Sequence, residues 1–403
     1  MVLFWIFGSV IFWGLIIFIL QIIAVRSTLS SSRSRRDRAA RSQFFPPISI
    51  LKPLKGLEDN LFGNLESFCV QDYPEYEVIF SLQDENDPAY KVARKVKEKF
   101  LNKPISIVIE RYHHGFNPKV NNLYSAYRHS KYPTILISDS NVMVDPYYLR
   151  TIANPMDNPK VGLVCNLIKG IGGKTIGSIF ENLHLNSFIL GNVCFLDKYL
   201  RIPCVMGKSM LMRKSDLEAI GGLASVKDVL AEDHFIGEKI RGQEQRVVIS
   251  NYMINNVNEY WGLQKFINRH VRWGKMRWKI GGMKYLLEFT LNPVFVTFLS
   301  LLLLGPTGKT LSGLALVCLI KIIGDSYLGR SISTSMHPLV YLLSPIKDFL
   351  IGLLWFVPLA DDTVVWRGNR YLMGKDTRLS LCPETGGEWK HRIVQGIKAK
   401  LAW

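Results

Sequence analysis

Several common signatures are missing from this sequence. It has no Gly-x-x-x-x-Gly-Lys-Ser/Thr loop, and no Gly-x-Gly-x-x-Gly follows a β-branched run. The two backbone cradles that most often hold nucleotide phosphates are therefore excluded, and any phosphate charge must be met by side chains or a metal. Only six cysteines occur (Cys69, Cys165, Cys194, Cys204, Cys318, Cys382), with no Cys-x-x-Cys spacing and no histidine partners at zinc-site spacing. Neither a metal knuckle nor a disulfide framework is indicated, and a reducing compartment fits. Internal repeats are lacking too. Acidic residues are scarce, 33 against 50 basic ones, for a formal charge of +17 at 48% hydrophobic content. That is too apolar for a disordered basic tail and too basic for an average enzyme, a pairing that suggests a membrane surface.

Residues 2–25 form an uncharged apolar run long enough to cross a bilayer core. It reads as an anchor, because the charged start, short core and small-residue cleavage site of a signal peptide are missing. The next stretch, RSTLSSSRSRRDRAAR, carries six arginines against one aspartate, which puts this side in the cytoplasm, against an anionic leaflet. Two more apolar segments, about 291–305 and 311–328, flank GPTGKT, a loop suited to a helical hairpin. A third, LVYLLSPIKDFLIGLLWFVPLA, is interrupted by Pro345, Lys347 and Asp348; charges are expensive at mid-bilayer, so it is expected to lie in the interface or dip in and return. The resulting division is an anchor (1–26), a basic linker (27–44), a catalytic domain (45–255), interfacial helices (256–288), membrane segments (289–360) and a basic cytoplasmic tail (361–403).

Between the anchors, β-branched runs (ISILKPL, YEVIFSL, ISIVIE, TILISDS, VGLVCNL) alternate with helical patterns at 60–70, 88–101, 118–130 and 146–153. Strand alternating with helix predicts an α/β domain with a Rossmann-like, mostly parallel sheet, which binds ligands at its strand C-termini. Acidic residues fall there: Asp84, Glu85 and Asp87 after YEVIFSLQ, and Asp139 after TILIS. They suit a polar sugar nucleotide or a hard cation, Mg2+ or Mn2+; taken singly, each of the first three also fits a turn or helix cap. In HGFNPKVNN, Lys119 stands at a helix start that favours anions, or is an exposed lysine behind a simple cap. In VLAEDHFIGEKIRG, Glu232, Asp233 and His234 open another helix as a surface cap, a metal cluster or the base of a catalytic site. Residues 262–287 are amphipathic, with Leu263, Phe266, Ile267, Trp273, Met276, Ile280 and Met283 on one side and Lys265, Arg269, Arg272, Lys275 and Lys279 on the other. Such a helix suits the leaflet surface, and its place after the α/β domain lets Arg269 or Arg272 reach a diphosphate.

Taken in order, ILKPLKG, NLESFCVQDYPEYEVIF, QDENDPA, NPKVNNL, SDSN, AEDHF and RHVRW resemble the ceramide glucosyltransferase family of the GT-A superfamily of membrane glycosyltransferases. The resemblance covers residues 45–280, and the flanking apolar segments match as well. It implies a GT-A type fold and inverting transfer of a hexose, UDP-glucose before other UDP-sugars, to a membrane lipid hydroxyl, with ceramide the first choice and no nucleic-acid partner. Asp84 and Asp87 would contact uracil and ribose, Lys119 would lie near the nucleotide, and Asp139 would hold a divalent metal on the diphosphate. Asp233 would be the general base, and Arg269, Arg272 and Trp273 would close on diphosphate and acceptor. Glu232 would orient Asp233 or cap its helix, and His234 would be a structural neighbour. Two departures stand out: the usual Asp-x-Asp is Asp139-Ser140-Asn141, and NSFILGNV at 186–193 lacks a histidine found there in animal relatives. A hopanoid-linked N-acetylglucosaminyltransferase, a diacylglycerol glucosyltransferase and, in another class, a non-catalytic lipid-binding scaffold are the alternatives; a processive polysaccharide synthase has too few apolar segments here to wall a channel.

Overall fold

The computed structural model of the chain describes residues 2–41, 44–111, 113–366 and 369–382. Five β-branched runs become strands: β1 Ile48–Pro53, β2 Tyr76–Leu82, β3 Ile105–Ile109, β4 Thr134–Ile137 and, beyond the two-residue β5 Val142–Met143, β6 Val161–Gly172. With β7 Met210–Arg213 and β8 Arg246–Asn258 they form an eight-stranded sheet of order β3-β2-β1-β4-β7-β6-β8-β5. Pairing is parallel through β3-β2-β1-β4 and between β6 and β8, and antiparallel where β7 and β5 join. The mostly parallel α/β class expected from the alternation is the one found.

Every residue of β1 and β2 is buried. Strands buried along their whole length need cover on both faces, and alternate side chains supply two cores. Ile48, Ile50, Val78 and Phe80 pack on the side of helices Leu61–Cys69, Pro88–Lys99 and Tyr148–Ala153. Leu51, Ile79 and Ile135 pack on the side of helices Pro118–His129 and Glu232–Gly242. Two charged residues interrupt this pattern, Glu77 in β2, which accepts from the Ser49 hydroxyl at 2.6 Å, and Lys52 in β1. Lys52, fully buried in β1, lays its ammonium 3.7 Å from the Phe68 ring centroid and donates to the Asp139 backbone oxygen at 2.7 Å.

The first helix runs from Val2 to Arg41, so the basic stretch expected as a linker continues the anchor as helix. Helices Pro293–Leu304 and Gly308–Ser331 pack together around the Gly305 turn, as a hairpin requires. Three described helical stretches are long and apolar enough to cross a membrane: Val2–Ser30, Gly308–Ser331 and Pro338–Ala360. A fourth candidate is a pair, Leu263–Leu291 with Pro293–Leu304, bent by 78°.

Pro338–Ala360 was expected to lie in the interface or dip in and return, because of Pro345, Lys347 and Asp348. In the structure Asp348 pairs with Lys321 at 3.4 Å, and Lys347 lies against Asp348. Paired inside the helical bundle, these charges face protein and not lipid, which removes the cost that argued against crossing.

The amphipathic helix forms over Leu263–Gly281, but its faces divide differently from the expectation. Phe266, His270, Gly274 and Lys275 are the buried positions, with Lys275 donating to Asp361 at 2.6 Å, while Leu263, Ile280 and Met283 remain exposed. Part of the tail is ordered as a second sheet, β9 Thr363–Trp366, β10 Asn369–Met373 and β11 Leu379–Leu381. The rest of the basic tail, 383–403, lies outside the described residues.

Candidate active site

β4 ends at Ile137, and the chain turns through Ser138 and Asp139 at the C-terminal edge of the parallel block. Beside it β7 runs the other way, with Ile137 opposite Met210. Two residues beyond that pair in each direction stand Asp139 and Lys208, so the antiparallel register itself sets the two side by side. Lys208 Nζ lies 2.9 Å from Asp139 Oδ2 and donates to Asn141 Oδ1 at 2.6 Å.

The other Asp139 oxygen faces Lys119 Nζ at 2.9 Å. Lys119 opens helix Pro118–His129, whose start is fixed by Pro118 in the first turn and by Asn117, which accepts from the Lys119 and Val120 N–H groups. The Asn117 amide also donates to Val229 O at 2.6 Å and Glu232 Oε2 at 3.3 Å, tying this helix start to the next. Lys119 Nζ completes the tie at 2.7 Å from Glu232 Oε1 and 3.3 Å from Gly207 O.

Asp233, in the first turn of helix Glu232–Gly242, is held by two backbone donors: the Gly207 N–H to Oδ2 at 2.6 Å and its own neighbour's N–H, from His234, to Oδ1 at 2.8 Å. Gly207 leaves room for this approach: a Cβ there would stand 2.8 Å from Lys119 Nζ and 3.1 Å from Asp233 Oδ2, so the Lys119 end would have to move.

The charges shift one another. Burial opposes ionisation of Asp139, yet Lys119 and Lys208 hold its carboxyl far below the usual carboxylate range. Burial alone would depress Lys119, but Asp139, Glu232 and Asp233 push its ammonium above the ordinary lysine value. Lys208 ends lower than usual, because burial outweighs its contact with Asp139 and Arg269 adds like charge nearby. Glu232 is raised by burial and by Asp233, against the pull of Lys119.

Lys119, Asp139 and Asp233, marked from the sequence, thus meet at one strand edge. Asp87 borders that edge: it caps helix Pro88–Lys99 through the Ala89 N–H and accepts from the Gly56 N–H, just beyond β1, at 2.8 Å. Asp84 lies farther out, with Arg111 at 3.3 Å. Arg269 forms a second group one layer away. Its guanidinium lies between Trp261 and Trp273, 5.0 and 4.2 Å from their ring centroids, and faces the buried Glu181 at 3.3 Å. Glu181 also meets His270 Nε2 at 2.9 Å. Arg272, half-buried, stands one residue before Trp273 on the same helix.

Lys208, Lys52, Gly207 and Glu181 were not singled out from the sequence. Lys52 had a legible signal, a lone charge inside a strand whose neighbours are all apolar; Lys208 and Gly207 had none, since only the β7 register brings them here.

Whether the residues fit a divalent cation depends on oxygen donors. Among the described residues no group of three or more His, Cys, Asp or Glu side chains could hold a metal. Asp139 and the Asn141 amide oxygen offer two oxygens, which fits a hard cation that draws its other ligands from phosphate and water. Both oxygens also serve Lys208.

A cavity of about 40 Å3 lies between the amphipathic helix and the membrane helices, with His184, His270 and Arg277 on one side and Lys321, Asp348 and Trp355 on the other. On the scale where one water takes about 10–15 Å3, it admits a small polar group and no more. His184 Nδ1 and Trp355 Nε1 are buried there without hydrogen-bond partners. His184 lies two residues before the segment that lacks the expected histidine, and burial keeps its imidazole well below the ordinary range.

The model of glycosyl transferase family 21 matches residues 9–379. Ceramide glucosyltransferase 1 of Caenorhabditis elegans is 32% identical over 238 residues, 58% of this chain and 50% of that protein. The match thus spans half the length of that relative. Ceramide glucosyltransferase 3 of the same organism is 27% identical over 369 residues, 88% of this chain and 78% of its own. Among solved structures, a mannosyltransferase from Pyrobaculum calidifontis in complex with GDP-Man and Mn2+ overlaps with a TM-score of 0.47 and 15% identity, covering 85% of this chain and 97% of that one.

Proposed function

The chain belongs to glycosyl transferase family 21, and from that premise we propose that it transfers glucose from UDP-glucose to the hydroxyl of a membrane lipid, ceramide before others, with inversion. The observation that carries this reading is the convergence of Asp139 and Asp233 on Lys119 at the strand edge. One carboxylate stands among ammonium groups that suit a diphosphate, and the other is held by backbone donors a short reach away.

The uracil and ribose lie toward Asp87 and Asp84, and the diphosphate meets Lys119 and Lys208. A divalent cation, if bound, is held by Asp139 and Asn141 and supplies charge neutralisation for the departing UDP. The acceptor O–H attacks the anomeric carbon on the face opposite the phosphate. The C1–O bond to UDP breaks with its electron pair going to UDP, and Asp233 takes the hydroxyl proton. For that task geometry matters more than an unusual acidity, since the alcohol loses its proton only as bonding to the sugar advances. Arg269, braced between two indoles, adds positive charge near Lys208, and Trp273 and Arg272 close the same helix over the acceptor.

The acceptor enters from the bilayer with its chains left in lipid and its hydroxyl brought to Asp233, while a small polar group of the same head can occupy the cavity beside His184. Six arginines after the first apolar run favour the cytoplasm and an anionic leaflet for this face.

The test is transfer by the purified protein in nanodiscs, with UDP-glucose, UDP-galactose and UDP-N-acetylglucosamine each offered against ceramide, diacylglycerol and a hopanoid. β-Glucosylceramide as the main product supports the reading. Product on another lipid changes the acceptor, and UDP binding without transfer to any lipid returns the protein to a binding role.

A further inference from the structure

At the strand edge one ammonium occupies the place that a cation on the diphosphate would take. Lys208 Nζ draws on both residue 139 and residue 141, at 2.9 and 2.6 Å. Those are the two ends of the segment that departs from Asp-x-Asp, so the oxygens that would ligate a metal are engaged by a side chain of the same protein.

The lysines around it already have anionic partners. Lys119 and Lys208 share Asp139, and Lys119 also meets Glu232 and lies near Asp233, so both lysines are already engaged by carboxylates before any ligand arrives. An incoming nucleoside diphosphate brings at least two further negative charges, and one of the resident cations must turn to meet them.

The three lysines are not equally free to do so. Lys52 is locked in β1 under a backbone oxygen and against Phe68. Lys119 is shared among Asp139, Glu232 and Gly207 O. Lys208, on the turn before β7, pairs with Asp139, and Asp139 keeps Lys119 when Lys208 leaves. A flexible four-carbon stem lets the ammonium move between the carboxylate and a phosphate with little backbone change.

We propose that Lys208 is a cation built into the diphosphate site: it holds the Asp139–Asn141 oxygens in the resting protein and turns to the phosphates when donor binds, so that nucleotide binding needs no metal ion. This rests on the UDP-sugar reading above. Exchange of Lys208 for a neutral residue frees both oxygens, and the site then takes a divalent cation to replace the lost charge.

Two binding measurements on the full-length protein in detergent test it. UDP titrated by calorimetry into the wild type should bind within about threefold as tightly in EDTA as in excess Mn2+. Lys208→Gln should bind at least about tenfold more weakly in EDTA and recover when Mn2+ is added, and Lys208→Arg, which keeps a charge, should resemble the wild type. Mn2+ titrated without nucleotide and followed by electron paramagnetic resonance should bind Lys208→Gln about tenfold more tightly than wild type.

Loss of wild-type UDP binding in EDTA would overturn the proposal. So would a folded Lys208→Gln that binds UDP equally with and without metal, or equal Mn2+ affinity in the two proteins. If that variant does not fold, the wild-type EDTA titration and Lys208→Arg decide. Absence of UDP binding under every condition would strike the donor reading instead, and the Mn2+ titration would still judge the lysine.

Discussion

At the residue scale the site depends on a few contacts that tolerate no added atom or lost charge. Gly207→Ala is one case. The new Cβ would press on Lys119 Nζ and Asp233 Oδ2, so both side chains shift and the Gly207 N–H bond that positions Asp233 is disturbed. We expect kcat to fall by about a hundredfold with a melting temperature close to wild type, because general-base positioning is worth roughly 10²–10⁴-fold. Asp233→Asn should bind UDP as before and transfer no sugar; wild-type turnover in that variant would remove the base assignment. Asp139→Asn acts on stability. It leaves Lys119 and Lys208 in a buried setting without their shared carboxylate, a change on the order of 3 kcal/mol. The pH dependence has a definite sign. Lys208 is already depressed and loses its main support in this variant, so the folded state binds fewer protons than the unfolded one, and stability rises with pH across the window below the ordinary lysine value. The melting temperature of Asp139→Asn should therefore lie well below wild type at pH 7 and close part of the gap by about pH 9. A gap that widens with pH would mean the lysines are not what the mutation exposes.

At the scale of elements, the strap formed by the last described strands is what the sequence did not disclose. Residues 363–366 and 369–381 fold back from the membrane helices onto the segment that feeds Asp233. Leu230 N–H donates to Thr377 O at 3.0 Å, Ala231 N–H to the Thr377 hydroxyl at 3.2 Å, and Leu379 N–H to Asp228 O at 2.7 Å. Thr377 is buried and adopts φ of 55°, an unusual backbone for a β-branched residue that its surroundings must hold in place. Thr377→Val removes the hydroxyl and leaves the Ala231 N–H buried and unpaired, at about 1–3 kcal/mol. We expect lower stability and a fall in kcat with the UDP dissociation constant unchanged; a matching loss of UDP affinity would place the strap's effect at the nucleotide end instead.

The parts that were legible share one property: they depend on neighbours in sequence. β1 to β4 and their helices were readable from β-branched runs and from caps such as Asn117-Pro118, and Asp139 and Asp233 from their places at a strand end and a helix start. β7, β8 and the strap pair segments far apart in the chain, so Lys208 and Gly207 reached the site only through a register that no local pattern announces. Lys275 shows the same limit on a helix. Periodicity assigned it to the polar face, and Asp361, 86 residues later, buries it.

At the scale of the whole molecule, the proposed reaction requires a water-soluble donor and a lipid to meet. The amphipathic helix is the shared wall. Through Arg269, which adds like charge near Lys208, it borders the carboxylate cluster, with Glu181 taking both Arg269 and His270, and through His270 and Gly274 it lines the cavity among the membrane helices. The opposite wall carries Lys321 and Asp348, paired with each other, and Ile351 one turn farther along Ser344–Leu354. A lipid head that fills this space gains hydrogen-bond partners for His184 Nδ1 and Trp355 Nε1, which have none in the protein, and such buried groups favour a ligand that satisfies them. Ile351→Trp tests the arrangement without touching the carboxylate cluster. The larger ring takes the space of the lipid head, so the KM for ceramide should rise by about tenfold or more while the UDP dissociation constant stays within error of wild type. Ile351→Leu, close in volume, should restore the acceptor KM. If Ile351→Trp instead leaves the acceptor KM unchanged in a folded protein that still transfers glucose, the lipid reaches Asp233 by another face, and the cavity is a packing gap between the bent helix and its membrane neighbours.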